Sequence, residues 1–328
     1  MASSMEWCNK VNEALLRSES NLNTLEESTT QNKANGRKNF QQPRFSLLLN
    51  LFRFGCFVSL LTLLVGCSPL KLVNGLTPNG AQEVERNLSY GVEVRQKLDV
   101  YRPAKPDEGS PVVVFFYGGS WRSGERGNYE FVGQSLSSRG FITVIPDYRL
   151  YPEVRFPAFV EDGARALAWI HENISEAEHG LVLIGHSAGA HLAALLALDQ
   201  KYLNAFRLSS SQVKGLIGLA GPYAFDPLSY RKTRPIFSGL NDADNARPVS
   251  YACNNSPPLL LLHGREDRLV LPGNSRKLHE LHQECGMKSN FIELSDVGHF
   301  DIVLGLSDSF SNLAPVLDPI QHFIQESI

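Results

Sequence analysis

The sequence predicts an α/β fold in which a mostly parallel central sheet carries helices on both faces. Two observations predict it. Short runs of consecutive apolar residues recur along the chain from residue 112 onward, and amphipathic helical patterns separate them. Apolar runs without alternation are typical of strands that are buried on both faces of a parallel sheet. Their alternation with helices indicates a doubly wound arrangement.

Six apolar runs predict the strands, and the helical patterns fall between them. The runs occupy residues 112–116, 141–145, 181–184, 216–219, 259–262 and 291–294. Helices are predicted over residues 161–173, 190–198 and 274–285, and residues 84–100 have the pattern of earlier edge strands. Between the fourth and fifth runs, residues 220–258 predict a small lid. Its candidate lining residues are Tyr223, Phe225, Tyr230 and Phe237.

The composition is that of a folded globular protein. The chain has 328 residues, of which 43% are apolar and 20% are charged, and its formal net charge is −3. These values exclude wholesale disorder, and they provide no basic field for binding nucleic acid. Five cysteines without a C-x-x-C pair are too few for a disulfide scaffold. The sequence leaves open whether Cys253 and Cys285 form a disulfide.

Three segments precede the globular domain, which is predicted over residues 83–328. Residues 1–45 are polar and are predicted to be a disordered extension or to lie upstream of the true start. Residues 46–66 are predominantly apolar, with a single charge at Arg53, and are predicted to be a signal peptide or a membrane anchor. Residues 67–82 are predicted to form a tether.

The end of the apolar segment favours the signal peptide. The sequence LVGC at residues 64–67 resembles a bacterial lipoprotein signal, in which cleavage precedes the cysteine and Cys67 carries the lipid. This resemblance implies a lipoprotein of the bacterial cell envelope that is tethered to the membrane and faces the periplasm. The alternative is a single-pass membrane anchor, because residues 46–66 are long enough to cross a bilayer as a helix.

A sharp turn is predicted directly after the third apolar run, where the pentapeptide GHSAG occupies residues 185–189. In a G-x-S-x-G turn between a strand and a helix, the glycines avoid steric collisions and the serine hydroxyl is lifted above the sheet. The helix that follows directs backbone N–H groups towards this hydroxyl. We therefore expect Ser187 to be a nucleophile.

A nucleophilic serine needs a base, and the base needs a carboxylate that orients it. Reactive residues in an open α/β sheet lie on loops at the carboxyl ends of the strands. Two such loops provide Asp267, after the fifth run, and His299, after the sixth. The competing candidates are two carboxylates, Glu266 and Asp296, and three histidines, His186, His191 and His263. Of these histidines, two lie too near the turn to take the serine proton, and His263 is expected to pack at the end of its strand.

The loop after the first apolar run predicts an oxyanion hole. The pentapeptide YGGSW occupies residues 117–121, and its glycines let backbone N–H groups approach a developing negative charge without a Cβ in the way. The N–H of the residue after the nucleophile completes such a hole. The predicted donors are therefore the N–H groups of Gly119, Ser120 and Ala188. The alternative is a β-turn that uses two glycines.

These motifs together resemble an α/β-hydrolase of the esterase branch, which includes carboxylesterases, feruloyl- and acetyl-xylan-esterase-like proteins, kynurenine formamidases and prenylcysteine methylesterases. The resemblance covers residues 84–324 and rests on YGGSW (117–121), DYRLYPE (147–153), FPA (156–158), GHSAGAH (185–191), Asp267 and His299. The chain order of serine, aspartate and histidine matches the family order of nucleophile, acid and base. One residue departs from the pattern, since Tyr117 stands where the family usually has a histidine that braces the loop.

The resemblance implies a serine hydrolase that cleaves small carboxylic esters through an acyl-enzyme intermediate. It implies that the substrate is a small-molecule ester and that the reaction uses no cofactor and no metal. Nucleic acid is not an expected partner. The N-terminal lipid or apolar segment would supply the contact with a membrane. A short lid favours small acyl groups over long-chain lipids. The alternatives are an arylformamidase of the kynurenine formamidase type, a prenylcysteine methylesterase and, more remotely, a non-catalytic binding protein. The sequence does not specify an oligomeric state.

Overall fold

The computed structural model describes residues 69–326, and within them eight strands form one sheet. The strands, in chain order, are β1 (Ala81–Ser89), β2 (Lys97–Pro103), β3 (Val112–Phe116), β4 (Thr143–Pro146), β5 (Leu181–His186), β6 (Val213–Leu219), β7 (Leu259–Gly264) and β8 (Ser289–Leu294). Their order across the sheet is β1-β2-β4-β3-β5-β6-β7-β8. The pairs β1–β2 and β2–β4 are antiparallel, and every other pair is parallel.

Helices connect the parallel strands, as the alternating pattern predicts. Those described are α1 (Pro69–Leu76), α2 (Glu130–Ser137), α3 (Ala158–Asn173), α4 (Ala188–Leu198), α5 (Gln200–Asn204), α6 (Gly273–Glu284), α7 (Asp301–Leu304) and α8 (Leu317–Glu326). Strands β3, β4, β5 and β7 are buried at every position, which explains why their sequences are apolar without alternation. The predicted α/β fold with a mostly parallel sheet is confirmed.

Helix α4 has no polar face, because it is covered on all sides. Each of its residues is buried, and the helix lies between the sheet and α3. Gly163 on α3 permits this close packing, since a Cβ at that position would come within 2.9 Å of the Leu192 side chain. A glycine inside a helix costs about 1 kcal/mol relative to alanine. The close approach of the two helices is therefore the physical reason for this residue.

One strand begins later than its apolar run. The prediction placed it at residues 141–145, whereas β4 spans Thr143–Pro146. The amide of Phe141 donates to Leu136 O, at the end of α2, so this residue still belongs to the turn after the helix. Its side chain is fully buried, which explains why the run looks continuous in the sequence.

Most of the N-terminal predictions concern residues outside the described part. The polar extension at residues 1–45, the apolar segment at 46–66 and the lipidation site Cys67 all lie there. None of the helices in the described part is long and apolar enough to span a membrane.

The described part of the predicted tether is ordered into secondary structure. Helix α1 covers Pro69–Leu76, and a compact unit begins at Val73, whose side chain is buried. Within this unit the hydroxyls of Thr77 and Ser307 form a hydrogen bond of 2.7 Å. Residues 73–82 therefore pack on the rest of the compact unit.

The segment between β6 and β7, at residues 220–258, packs against the body of the protein. It contains two short 3-10 helices, Ala243–Ala246 and Pro248–Tyr251, and no α-helix or strand is described within it. Of its aromatic residues, Tyr223 and Phe237 are fully buried, while Tyr230 is exposed. The aromatic side chains of this predicted small lid thus contribute largely to packing.

A disulfide joins Cys253, which follows the second 3-10 helix of this segment, to Cys285, at the end of α6. Their Cα atoms are 5.3 Å apart, a separation usual for a disulfide. The bond answers the question that the sequence left open.

We expect loss of this disulfide to lower the free energy of unfolding by about 3–4 kcal/mol, because the bond closes a loop of 32 residues in the unfolded chain. Urea unfolding of the Cys253→Ser/Cys285→Ser double variant, compared with the oxidised protein, measures this. A reductant should weaken the wild-type protein to the same extent and leave the double variant unchanged. An identical unfolding midpoint in the wild type and the variant would contradict the assignment.

Candidate active site

Ser187 occupies a strained turn between β5 and α4. Its backbone has φ of 53° and ψ of −119°, a conformation that costs a non-glycine residue about 1–3 kcal/mol. The Ser187 amide donates to Leu219 O at 2.9 Å, at the end of β6, which holds the turn. The glycines on either side are required sterically. A Cβ on Gly185 would collide with the backbone of Ala190, and a Cβ on Gly189 would collide with the backbone of Phe116.

The three predicted triad residues lie in hydrogen-bond contact. His299 Nε2 lies 2.9 Å from Ser187 Oγ, and His299 Nδ1 lies 2.6 Å from Asp267 Oδ2. Because a carboxylate only accepts, Nδ1 carries the proton, and the lone pair of Nε2 faces the serine hydroxyl. Ser187 is partly exposed, whereas His299 and Asp267 are buried.

The carboxylate of Asp267 is held by N–H groups on both of its oxygens. Oδ1 accepts from the amides of Leu269 and Val270, each at 2.9 Å. Oδ2 faces His299 Nδ1 and, at 3.2 Å, His263 Nε2. Burial by itself would raise the pKa of Asp267, but the N–H groups of His263 and His299 hold that pKa well below its usual range. Asp267 is therefore ionised at neutral pH.

The competing candidates lie elsewhere or have other partners. Glu266 is exposed and pairs with Arg268 at 3.9 Å, and Asp296 is exposed at the surface. The buried rings of His186 and His191 bond to main-chain carbonyls, those of His299 at 2.9 Å and Ala246 at 2.7 Å. In the described part of the chain, Nδ1 of each ring has no hydrogen-bond partner. Neither histidine is thus paired with the serine.

The predicted oxyanion loop passes directly beside the nucleophile. A Cβ on Gly118 would lie 3.0 Å from Ser187 Cβ. Gly119, Ser120 and Trp121 all have positive φ values, of 132°, 54° and 57°. Within residues 69–326, the amides of Gly119 and Ser120 donate no backbone hydrogen bond, and Ala188 stands in the first turn of α4, where helical N–H groups have no partner in the helix. These are the three predicted donors.

Tyr117 braces this loop through its hydroxyl and its ring. The hydroxyl donates to Asp147 Oδ1 at 2.7 Å and accepts from Arg95 Nη2 at 2.9 Å. The ring stacks between those of Tyr129 and Tyr148, with centroid distances of 5.3 and 4.9 Å. Burial, with the nearby charge of Asp147, raises the pKa of Tyr117 far above its ordinary value, so the hydroxyl remains a donor. Tyr117 stands where the family usually has a histidine, and its hydroxyl and ring contacts support the loop in place of that residue.

The same buried network fixes the rest of the loop. Arg95 donates to Gly124 O at 2.7 Å and to Tyr148 O at 2.9 Å. Asp147 also accepts from the amide of Arg126 at 2.7 Å and forms an ion pair with its guanidinium. Two guanidinium groups, one carboxylate and one hydroxyl thus join the loop to the residue that follows β4 and to the turn before β2.

Aromatic rings surround the end of the loop. Trp121 is buried and meets His191 edge-on at 5.1 Å, meets Phe237 edge-on at 5.0 Å and stacks on Phe225 at 5.8 Å. These rings form an aromatic wall that joins the oxyanion loop, α4 and the segment between β6 and β7.

The sequence does not identify two residues of the site. The pattern predicts only a packing role for His263, yet this residue lies against Asp267, and it gives no role to Arg95. The sequence does contain a signal for His263, because this histidine at the end of β7 stands four residues before the aspartate. It contains none for Arg95, because the partners of that residue are 22 and 29 residues away along the chain.

Comparisons with known proteins place these features in a family. The BD-FAE family model matches residues 98–281. The isoprenylcysteine alpha-carbonyl methylesterase ICME of Arabidopsis thaliana is 29% identical, over 72% of this chain and 62% of that protein. Esterase LipC of Mycobacterium tuberculosis is 28% identical, over 67% and 60%, and the kynurenine formamidase of Danio rerio is 27% identical, over 68% and 76%. The chain thus spans about three-fifths of the length of the first two relatives.

Solved structures share the fold at low sequence identity. Esterase B of Lactobacillus rhamnosis has a TM-score of 0.64 at 18% identity, covering 86% of this chain and 96% of that one. A truncated carbohydrate esterase from gut microbiota has a TM-score of 0.63 at 18% identity, covering 76% and 99%. The predicted α/β-hydrolase fold is therefore confirmed.

We expect stability to fall between about pH 7 and pH 5, because burial lowers the pKa of His186 to about 3 and that of His191 to about 4. In the unfolded chain a histidine has a pKa of about 6.5, so below that pH the unfolded state binds protons that the folded protein excludes. Each histidine contributes a loss of about 2 kcal/mol over this range.

Urea unfolding at the two pH values measures this loss. The change His191→Gln retains an N–H for Ala246 O and does not titrate, so it should reduce the loss by about 2 kcal/mol. His322→Gln, at an exposed position, serves as the control and should keep the wild-type pH dependence. A His191→Gln variant with the full wild-type loss would contradict the assignment.

Proposed function

The chain belongs to the BD-FAE family, and on that premise we propose that it is a serine hydrolase that cleaves small carboxylic esters. One observation carries the proposal. The hydroxyl of Ser187, on a strained turn, faces the lone pair of His299 Nε2, and Asp267 holds the opposite ring nitrogen at 2.6 Å. Nucleophile, base and orienting carboxylate are thus aligned in one chain of hydrogen bonds.

Ser187 would attack the ester carbonyl as His299 Nε2 takes the hydroxyl proton. General-base catalysis of this kind contributes about 10²–10⁴-fold to the rate. Asp267 keeps the proton on Nδ1 and stabilises the imidazolium. His299 then gives its proton to the leaving alcohol, and the acyl group remains on Ser187. Water, activated by the same histidine, hydrolyses this acyl-enzyme and restores the serine.

The amides of Gly119, Ser120 and Ala188 would stabilise the oxyanion. Each well-placed donor is worth about 3–4 kcal/mol in the transition state. The position of Gly118 against Ser187 and the positive φ values of the loop support this role, because both bring the backbone close to the nucleophile. No cofactor enters the proposed reaction.

Small acyl groups suit the buried aromatic wall better than long chains. Trp121 follows the oxyanion loop and is packed on three sides by His191, Phe225 and Phe237. In addition, no α-helix is described between β6 and β7 that could act as the large apolar lid of an interfacial lipase. We therefore propose short-chain esters as substrates.

Two narrower activities are second candidates, because relatives carry their names. One is hydrolysis of a prenylcysteine methyl ester, as in ICME, and the other is hydrolysis of an aryl formamide, as in kynurenine formamidase. Relative kcat/KM values on phenyl acetate, an aryl formamide and a prenylcysteine methyl ester separate the three. Turnover of long-chain triglyceride emulsions above all of them would contradict the preference for small acyl groups.

We also propose attachment to the bacterial cell envelope through a lipid on Cys67, with the domain facing the periplasm. The LVGC sequence supports lipidation, and the Cys253–Cys285 disulfide suits an oxidising compartment. Fractionation of bacteria that express the full chain should place it in the membranes, and Cys67→Ser should abolish incorporation of a labelled fatty acid. A wild-type chain that fractionates with membranes, incorporates no fatty acid and retains residues 46–66 would favour a single-pass anchor.

Replacement of the nucleophile tests the proposed function. In the full chain, Ser187→Ala should lower kcat for 4-nitrophenyl acetate by about 10⁵–10⁶-fold, because alanine has no hydroxyl that could attack the ester. Ser256→Ala is the control, since that hydroxyl donates to Asn254 O in the segment before β7. A folded wild type without turnover would instead support the non-catalytic binding protein.

The brace of the oxyanion loop gives a second prediction. Tyr117→Phe removes the hydroxyl that bonds to Asp147 and Arg95, and we expect kcat to fall about tenfold with KM within about twofold of the wild type. Steady-state kinetics on one short-chain ester measures this. An unchanged kcat with a raised KM would show that the loop positions the substrate rather than the oxyanion.

A further inference from the structure

The side chain of His263 is completely buried, and both of its ring nitrogens have hydrogen-bond partners. The residue is the penultimate one of β7 and precedes Asp267 by four positions. Nδ1 lies 2.7 Å from Ser275 Oγ, on α6. Nε2 lies 2.8 Å from Val270 O and 3.2 Å from Asp267 Oδ2. The ring therefore spans the space between α6 and the loop that holds the carboxylate.

These contacts determine the tautomer of His263. A main-chain carbonyl such as Val270 O can only accept, so Nε2 must carry the proton. In the neutral ring Nδ1 then has the lone pair, and the hydroxyl of Ser275 donates to it. The N–H of Nε2 lies between two acceptors, Val270 O and Asp267 Oδ2. His263 is thus a donor towards the carboxylate and not a second base.

We propose that His263 is a positioning residue that holds the Asp267 carboxylate in the orientation needed by His299. This inference rests on the proposed function, because it assigns His263 a role in the same triad. His263 does not touch the serine and acts through Asp267 alone.

The geometry explains why the carboxylate needs such a partner. The amides of Leu269 and Val270 fix only Oδ1, and rotation about the bond to the carboxyl group is resisted more strongly when Oδ2 is also bound. Oδ2 has to face His299 Nδ1 at 2.6 Å while the histidine gains positive charge. A second N–H on Oδ2 opposes both rotation and protonation of the buried acid.

Ser275 supports the ring one step further away. It is fully buried, and its hydroxyl fixes the plane of the imidazole without contacting Asp267. Its removal leaves Nε2–H, Val270 O and the carboxylate in place. The effect of Ser275→Ala on turnover should therefore be smaller than that of losing the donor itself.

Two amide substitutions at position 263 separate the donor from the packing. Glutamine places its NH₂ where His263 has Nε2, so His263→Gln keeps a donor for Val270 O and for Asp267. Asparagine is shorter and places its amide near Nδ1, so His263→Asn keeps a partner for Ser275 and loses the donor to the carboxylate. Both replacements are polar amides that are no larger than the imidazole. Each variant therefore serves as the other's control for folding.

The kinetic test measures kcat and KM of the full chain on 4-nitrophenyl acetate. A hydrogen bond to a charged group corresponds to about ten- to a hundredfold, so His263→Asn should lower kcat by that factor. KM should stay within about twofold. His263→Gln and Ser275→Ala should each retain kcat within about threefold of the wild type. Equal losses in the glutamine and asparagine variants, or a wild-type kcat in the asparagine variant, would overturn the proposal.

A proton NMR measurement distinguishes this inference from the proposed function itself. The proton between His299 Nδ1 and Asp267 Oδ2 lies in a short hydrogen bond and should give a strongly deshielded resonance. We expect it in the wild type and in His263→Gln, and expect it to shift upfield or disappear in His263→Asn. This signal requires no substrate, so it reports on His263 even if the protein hydrolyses no ester. An unchanged resonance in a folded His263→Asn variant would contradict the role of His263.

Discussion

The left-handed backbone of Ser187 is the constraint on which the site depends. The turn has no intrinsic stability, because a non-glycine residue at φ of 53° and ψ of −119° is strained. The hydrogen bond from its amide to Leu219 O and the burial of the whole of α4 offset that strain. The strained position points the hydroxyl away from the sheet and towards His299. A relaxed turn at this place would remove the alignment of the triad.

The turn also determines where the neighbouring loop has to lie. A Cβ on Gly189 would collide with Phe116 O, so the end of β3 passes directly beside the Ser187 turn, and the oxyanion loop begins there. The loop leaves β3 with three successive positive φ values, and such a conformation needs external support. Tyr117, Arg95 and Asp147 provide it through buried charge-assisted hydrogen bonds, which are stronger than neutral ones. The Ser187 turn and the oxyanion loop therefore depend on each other for their conformations.

The sequence predicted the elements that depend on local patterns. Strands buried on both faces are apolar throughout, and the glycines of GHSAG are required by contacts within one strand–turn–helix unit, so both can be identified from the sequence. Asp267 and His299 could be placed because each follows the carboxyl end of a strand, and parallel strands end at the same edge of the sheet. The contact of Arg95 with Tyr117 and that of His263 with Asp267 could not be placed in the same way. They depend on the relative positions of whole loops. The late start of β4, at Thr143, has a local cause, because Phe141 still belongs to the turn after α2 while its buried side chain continues the apolar run.

The residue that a covalent inhibitor modifies identifies the nucleophile. The full chain would be treated with a fluorophosphonate, digested and mapped by mass spectrometry, in the wild type and in His299→Gln. We expect one adduct for each chain, on the peptide that contains Ser187, and much slower labelling when His299 is replaced, because the serine then has no base. An adduct on a different residue, or labelling at the same rate without His299, would contradict the proposed alignment of serine, histidine and aspartate.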